Sequence, residues 1–238
     1  MKRSQSKLDS SFFEQDPVAS AKKLIGKRLV HGRCSGIVVE TEAYAAENDE
    51  AAHTFSRPSA RDFITNHDAG SAYVYLNYGM YWLANVLVKG NQGHGFVLIR
   101  AIRPERGIAT MQKRRANKDV KNLCSGPGKL TIALNINGKH HGQSFTKKNS
   151  KLWFEDTDEK IKVTSDRRIG ISRSKELLWR FLHQDSNYVS KKKAGEISPA
   201  FQKYDAEKLF STINVTSWRY WRSCLITGIP FFASSKEK

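Results

Sequence analysis

Hydrophobic and polar positions alternate most clearly between residues 36 and 44. On a period of two, Val38, Glu40, Glu42 and Tyr44 share one face of a predicted strand, and Ile37, Val39, Thr41 and Ala43 share the other. One face is small and apolar; the other ends in carboxylates and an aromatic ring. Upstream, residues 20–26 read as a short helix ending at Gly26, and Leu29-Val30-His31 begins extended sequence. Downstream, residues 72–77 and 81–88 are aromatic and β-branched runs joined around Tyr78-Gly79-Met80, the pattern of a hairpin that puts Tyr78 at an exposed tip. Residues 96–102 predict a buried strand. The spacing of Ile108 and Met111 predicts a helix within residues 104–115, and Ser125-Gly126-Pro127 a further helix start. Short strand-like pieces follow around Leu152-Trp153-Phe154, Ile161-Lys162-Val163, Arg168-Ile169-Gly170-Ile171 and Trp179-Arg180-Phe181. Residues 45–71 read as a long irregular connection carrying His53, a length uncommon in compact domains unless the loop is functional.

These elements predict one compact domain over residues 18–190, after a flexible start over residues 1–17. Residues 191–238, with Trp218, Tyr220, Trp221 and Phe231, read as a basic and aromatic extension packed on or near it.

Charge changes the picture. Lys and Arg number 40 against 23 acidic residues, a formal charge of +17, and that excess calls for a polyanion, nucleic acid first. A membrane is the rival, but no apolar run approaches the roughly 20 residues of a spanning helix. The expected setting is intracellular and soluble: the cytoplasm at a bacterial nucleoid, or a eukaryotic nucleus. Cys34, Cys124 and Cys224 are odd in number and far apart, which predicts reduced structural thiols. His140 and His141 have no Cys or carboxylate at ligand spacing, so a loop is expected there and not a zinc site.

Carboxylates, aromatics and an imidazole on a basic chain suit an enzyme acting on a nucleobase. In order and spacing, several motifs resemble the alkyladenine (3-methyladenine) DNA glycosylases of the mammalian type, which also occur in bacteria. They are Leu24-Ile25-Gly26-Lys27, Glu40-Thr41-Glu42-Ala43-Tyr44, Glu50-Ala51-Ala52-His53, Tyr73-Val74-Tyr75, Tyr78-Gly79-Met80-Tyr81, Asn85, Leu98-Ile99-Arg100-Ala101, Leu123-Cys124-Ser125-Gly126-Pro127 and Arg168-Ile169-Gly170-Ile171. The resemblance spans about residues 21–190. It implies an α+β fold, a single mixed domain with a curved, mainly antiparallel sheet flanked by helices. It also implies a monomeric, monofunctional enzyme that needs no cofactor or metal and hydrolyses the N-glycosidic bond of damaged purines in double-stranded DNA. By the same resemblance Glu42 is the general base, Tyr44, His53, Tyr75 and Asn85 bind the base, Tyr78 intercalates, and Arg100 belongs to the DNA-binding face.

The residue chemistry agrees with those roles. A carboxylate beside the sugar carbon polarises water and stabilises developing positive charge; Glu42 suits this, and sequence alone leaves Glu40 open. Tyrosine faces attract electron-poor, cationic alkylpurines. Tyr73 is expected to be an ordinary half-buried strand residue pointing away from the ligand. Lys113, Arg114, Arg115, Lys118, Lys121, Lys147, Lys148 and Lys151 supply general phosphate contacts. No lysine stands out as a Schiff-base nucleophile. The alternative is a noncatalytic nucleic-acid-binding module using the same basic face and aromatic platform; a carboxylate-pair glycoside hydrolase fits less well, because two residues apart on a strand is too close to flank a sugar.

Overall fold

The computed structural model describes residues 6–157, 159 and 161–190. The first five residues and the predicted extension over 191–238, with Cys224, lie outside the described residues. Strand β1 (Arg28–His31) and the long β2 (Cys34–Ala45) form a hairpin. A second hairpin joins β3 (Ala72–Asn77) to β4 (Tyr81–Gly90), and β5 (Gly93–Arg106) follows directly. Later strands are β6 (Leu152–Glu155), β7 (Val163–Asp166) and β8 (Arg180–His183). All pairings are antiparallel, in the order β3-β4-β5-β2-β1-β6, with β8 pairing the far half of β2 and β7 pairing β8. The sheet curls into a half-barrel, and the described residues form a single mixed α+β domain.

Helix α1 (Pro17–Leu24) starts on an Asp16 cap, whose carboxylate accepts the amides of Val18 at 3.0 Å and Ala19 at 2.9 Å, with Pro17 preset at the first position. It packs on β2, where Thr41 donates its hydroxyl to the Ala21 carbonyl. The connection expected to be irregular holds α2 (His53–Ser56) and α3 (Pro58–Asn66). Neither has a side-chain cap. Both are short and end within one connection, and that is why periodicity there was faint. Phe63 and Ile64 of α3 bury against Tyr73, Leu87 and Phe96 of the sheet. Helices α4 (Ile108–Arg115) and α5 (Pro127–Leu134) lie near the expected boundaries, and β5 runs on to Arg106 before α4 begins.

Residues 6–17 differ from a loose start. Phe13 sits in a 3-10 helix (Ser10–Phe13) and is fully buried against Phe154. One apolar anchor in polar sequence has no period to reveal it. Two of the cations expected to contact phosphate are used inside the fold: Arg114 donates to the Ala133 carbonyl at the end of α5, and Arg115 to the Leu123 carbonyl. Cys34 and Cys124 are free and buried. His140 meets His31 with Nε2 atoms 3.1 Å apart, and His141 accepts the Val74 amide. Among the described residues no group of three or more metal-ligating side chains occurs, and no helix is long and apolar enough to cross a membrane.

Candidate active site

The alternation expected along β2 breaks at one point. Val38 pairs with Ile102 and Glu40 with Ala101, so Val39 is an extra residue on β2; Glu40 pairs with Ala101 and Thr41 with Ile99, so Arg100 is an extra residue on β5. Each bulge shifts the side-chain parity of its strand by one. Val38 therefore turns into the main core with Ala43 and Ile99, not onto the face of Glu40 and Glu42. Beside the bulges, on the face where Leu98 pairs with Glu42, the Arg100 guanidinium lies between the two carboxylates, with Nε 3.0 Å from Glu40 and Nη1 3.2 Å from Glu42. Arg100 was expected on an exposed DNA-binding face; it is 6 % exposed and committed to an interior ion cluster.

Glu42 is fully buried. Its Oε1 accepts the Ile169 amide at 2.7 Å and its Oε2 the Tyr44 hydroxyl at 2.7 Å. The Ile169 segment was expected to be a strand. It is a loop between β7 and β8 whose neighbour Arg168 is clamped by both oxygens of Asp49, at 2.6 and 2.8 Å, and by the Ala43 carbonyl. That guanidinium also lies 4.7 Å from the Tyr44 ring and 5.3 Å from that of Trp179. Asp49 and Arg168 thus help build the site; the motif at Arg168 gave it no role, and no local pattern disclosed its pairing with Asp49, because the two meet across 119 residues of chain.

Glu40, also fully buried, is more heavily bonded. Its Oε1 accepts from Arg100, from Arg180 Nε at 2.7 Å and from the Ser190 hydroxyl at 2.8 Å; its Oε2 accepts the Ser190 amide at 2.6 Å. Burial alone would raise its pKa, but Arg100, Arg180 and the Ser190 hydrogen bonds hold it below the usual carboxylate range. Glu40 thus meets two guanidiniums and Glu42 one.

Sheet register brings the remaining residues together. Tyr73, Asn85, Leu98 and Glu42 form one row across β3, β4, β5 and β2, and Tyr44 lies in the next row opposite Phe96. Tyr73 and Tyr75 are two apart on β3 and so share a face, contrary to the expectation for Tyr73. The Tyr73 ring stacks on Phe96 at 4.3 Å, and its hydroxyl lies 3.1 Å from His53 Nδ1. His53 from α2 sits 4.4 Å from the Tyr75 ring, centroid to centroid. Burial, with the nearby Arg57 cation, pulls the His53 pKa down to about 4, so the ring is neutral at physiological pH. Burial raises Tyr75 and Tyr44, with Glu42 adding to both, so both keep their hydroxyl protons. Asn85 is nearly buried and donates its amide to the Tyr73 carbonyl at 3.0 Å.

Tyr78 occupies the hairpin tip. Tyr78 and Gly79 have φ of 50° and 67°, and the Met80 amide closes the turn on the Asn77 carbonyl at 3.0 Å. Positive φ at both central residues suits the twist of a tight hairpin, easily for glycine and at some cost for tyrosine. Tyr78 is 67 % exposed, with Met80 and Tyr81 beside it.

A buried, oriented carboxylate next to an aromatic cluster, on a strongly basic chain, is the equipment of a hydrolase that works on nucleic acid bases. Comparison with known proteins narrows that class. The sequence profile of the methylpurine-DNA glycosylases matches residues 11–187. A Chlorobaculum tepidum protein named "Putative 3-methyladenine DNA glycosylase" is 38% identical over 196 residues, which cover 79% of this chain and 93% of that one. Proteins of the same name from Francisella tularensis strain FSC 198 and Clostridium novyi are 41% identical over 183 residues (74% and 94% of the two chains) and 36% identical over 201 (78% and 99%). The chain belongs to the methylpurine-DNA glycosylase family: it is a DNA repair hydrolase acting on N-glycosyl bonds.

Proposed function

We propose that this protein is a monofunctional glycosylase that turns an alkylated or deaminated purine out of double-stranded DNA and hydrolyses its N-glycosidic bond with a water activated by Glu42. The supporting observation is the Glu42 carboxylate, held by the Ile169 amide, the Tyr44 hydroxyl and Arg100 on the sheet face it shares with Tyr73 and Tyr75, against which His53 of α2 packs. The water oxygen bonds to C1′, its proton passes to Glu42, and the base leaves with the electron pair of the broken C–N bond. A cationic alkylpurine leaves as a neutral base, whereas a neutral lesion such as hypoxanthine needs a proton as it departs.

In this reading Tyr44 supplies a stacking face as well as a hydrogen bond. With Nδ1 against Tyr73, neutral His53 leaves Nε2 as the ring atom to meet a purine edge. Asn85, pinned to the Tyr73 carbonyl, is too constrained to yield to the 2-amino group of guanine. Tyr78 fills the gap left in the stack. Arg100 serves through Glu42 and not through phosphate. The decisive experiment is single-turnover base release from duplexes carrying hypoxanthine, 1,N6-ethenoadenine or methylated bases, by the protein and by its Glu42→Gln form. Release by the protein with loss in the variant, and DNA binding kept in both, is the expected result. Tight binding with no release from any substrate overturns it in favour of a noncatalytic module.

A further inference from the structure

We propose that Glu40 is a positioning residue for this reaction: by holding part of the Arg100 guanidinium, it lets Arg100 orient Glu42 without taking up that carboxylate's capacity to accept a proton. The inference rests on Glu42 being the base.

Four observations carry it. Arg100 divides its donors, giving Nε to Glu40 and Nη1 to Glu42, and the longer contact is the one to Glu42. Sheet register supports this sharing: Leu98 pairs with Glu42, so Arg100, two residues further along β5, lies on the carboxylate face beside Glu40. Glu40 is itself fixed from behind by Arg180, whose Nη1 reaches Asp166 at 2.8 Å, and by both the amide and the hydroxyl of Ser190. Ser190 is 150 residues away along the chain, so the arrangement is tertiary and not a local by-product of the strand.

The charges balance: two buried carboxylates face two buried guanidiniums. The groups facing Glu42 are Arg100 from β5, Glu40 and Tyr44 from β2, Tyr75 from β3, Arg180 with Asp166 from β8 and β7, and Arg168 behind Tyr44, itself paired with Asp49. Removing the Glu40 charge leaves surplus positive charge on Glu42, which makes it a weaker base. Removing the Arg180 charge leaves surplus negative charge and does the reverse.

The test is the pH profile of single-turnover hypoxanthine release, with lesion-DNA affinity measured in parallel. Glu40→Gln is expected to slow release by about 100-fold at neutral pH, to move the acid limb down by about one pH unit, and to leave affinity unchanged. Arg180→Gln is expected to move the same limb upward. Equal slowing at every pH, with no displacement of the limb in either variant, would mean a purely structural role and would overturn the proposal; so would a wild-type rate in Glu40→Gln. If circular dichroism shows Glu40→Gln unfolded, the upward displacement by Arg180→Gln decides alone. Loss of release in Glu42→Gln beside unaltered Glu40→Gln sinks this inference only, whereas no release by the unaltered protein sinks the reading beneath it.

Discussion

At the crossing of β2 and β5, Glu40 and Glu42 are wholly out of water and Arg100 nearly so, while at the tip of the β3–β4 hairpin Tyr78 keeps 67 % of its surface exposed. Both regions arise from departures from regular strand geometry, a pair of bulges in one and a left-handed turn in the other. On the proposed reading they serve opposite requirements. Charge that must act on a reacting atom is most effective where water is excluded and the partners are already in place. A side chain that must enter a base stack has to stand clear of its own protein. The first region is thus a preorganised interior and the second an exposed projection.

The largest expected effect breaks the interior. Glu42→Gln keeps the shape and removes the base, and release in single turnover should fall by about 10³-fold while lesion binding persists, as a general base of typical efficiency predicts. An unchanged rate would remove Glu42 from its proposed role. Tyr78→Ala attacks the projection, and its signature is substrate-dependent: roughly a tenfold loss with duplex DNA, and little loss when the same lesion is in a single strand, where no stack needs filling. Equal losses on both substrates would mean that Tyr78 acts in something other than unstacking.

Tyr44→Phe sharpens the comparison within the interior, because it keeps the ring and removes only the hydrogen bond to Glu42. A bond to a charged group typically contributes about 1.5–3 kcal/mol, so release should slow by about tenfold or somewhat more with base affinity kept. Loss of affinity instead would assign the hydroxyl to substrate. The smallest effect concerns His53. Its folded pKa of about 4 lies below the unfolded value near 6.5, so the unfolded chain binds the extra proton first. Folding stability should decline as pH falls from about 6.5 to about 4 and level off below, and His53→Gln should remove that part of the slope. Urea midpoints across that range measure it, and an NMR titration showing His53 protonated at pH 6 would contradict the buried, neutral ring.

Much was legible in the sequence because it repeats locally. The β2 run, the hairpin with Tyr78 at its tip, the strand through residues 96–102, the start of α5 and the presence of α1 and α4, though α1 begins at Pro17 and not at Ser20, each follow from side-chain periodicity or from proline and glycine at element ends. Motif order along the chain carried the family, hence Glu42, Tyr44, His53, Tyr75, Tyr78 and Asn85 as a set. Tertiary structure decided the rest. An inserted residue on β2 and another on β5 reversed the strand parity, which turned Val38 inward, and the pairing of Leu98 with Glu42 set Arg100 between the carboxylates. That Glu40 is tied down by more donors than Glu42 depended on Arg180 and Ser190, and what orients Glu42 depended on the loop held by Asp49 and Arg168. The physical reason is one of range: a strand's own sequence specifies the direction its side chains alternate, but the electrostatic state of a buried group is set by donors that only the folded chain brings within about 3 Å.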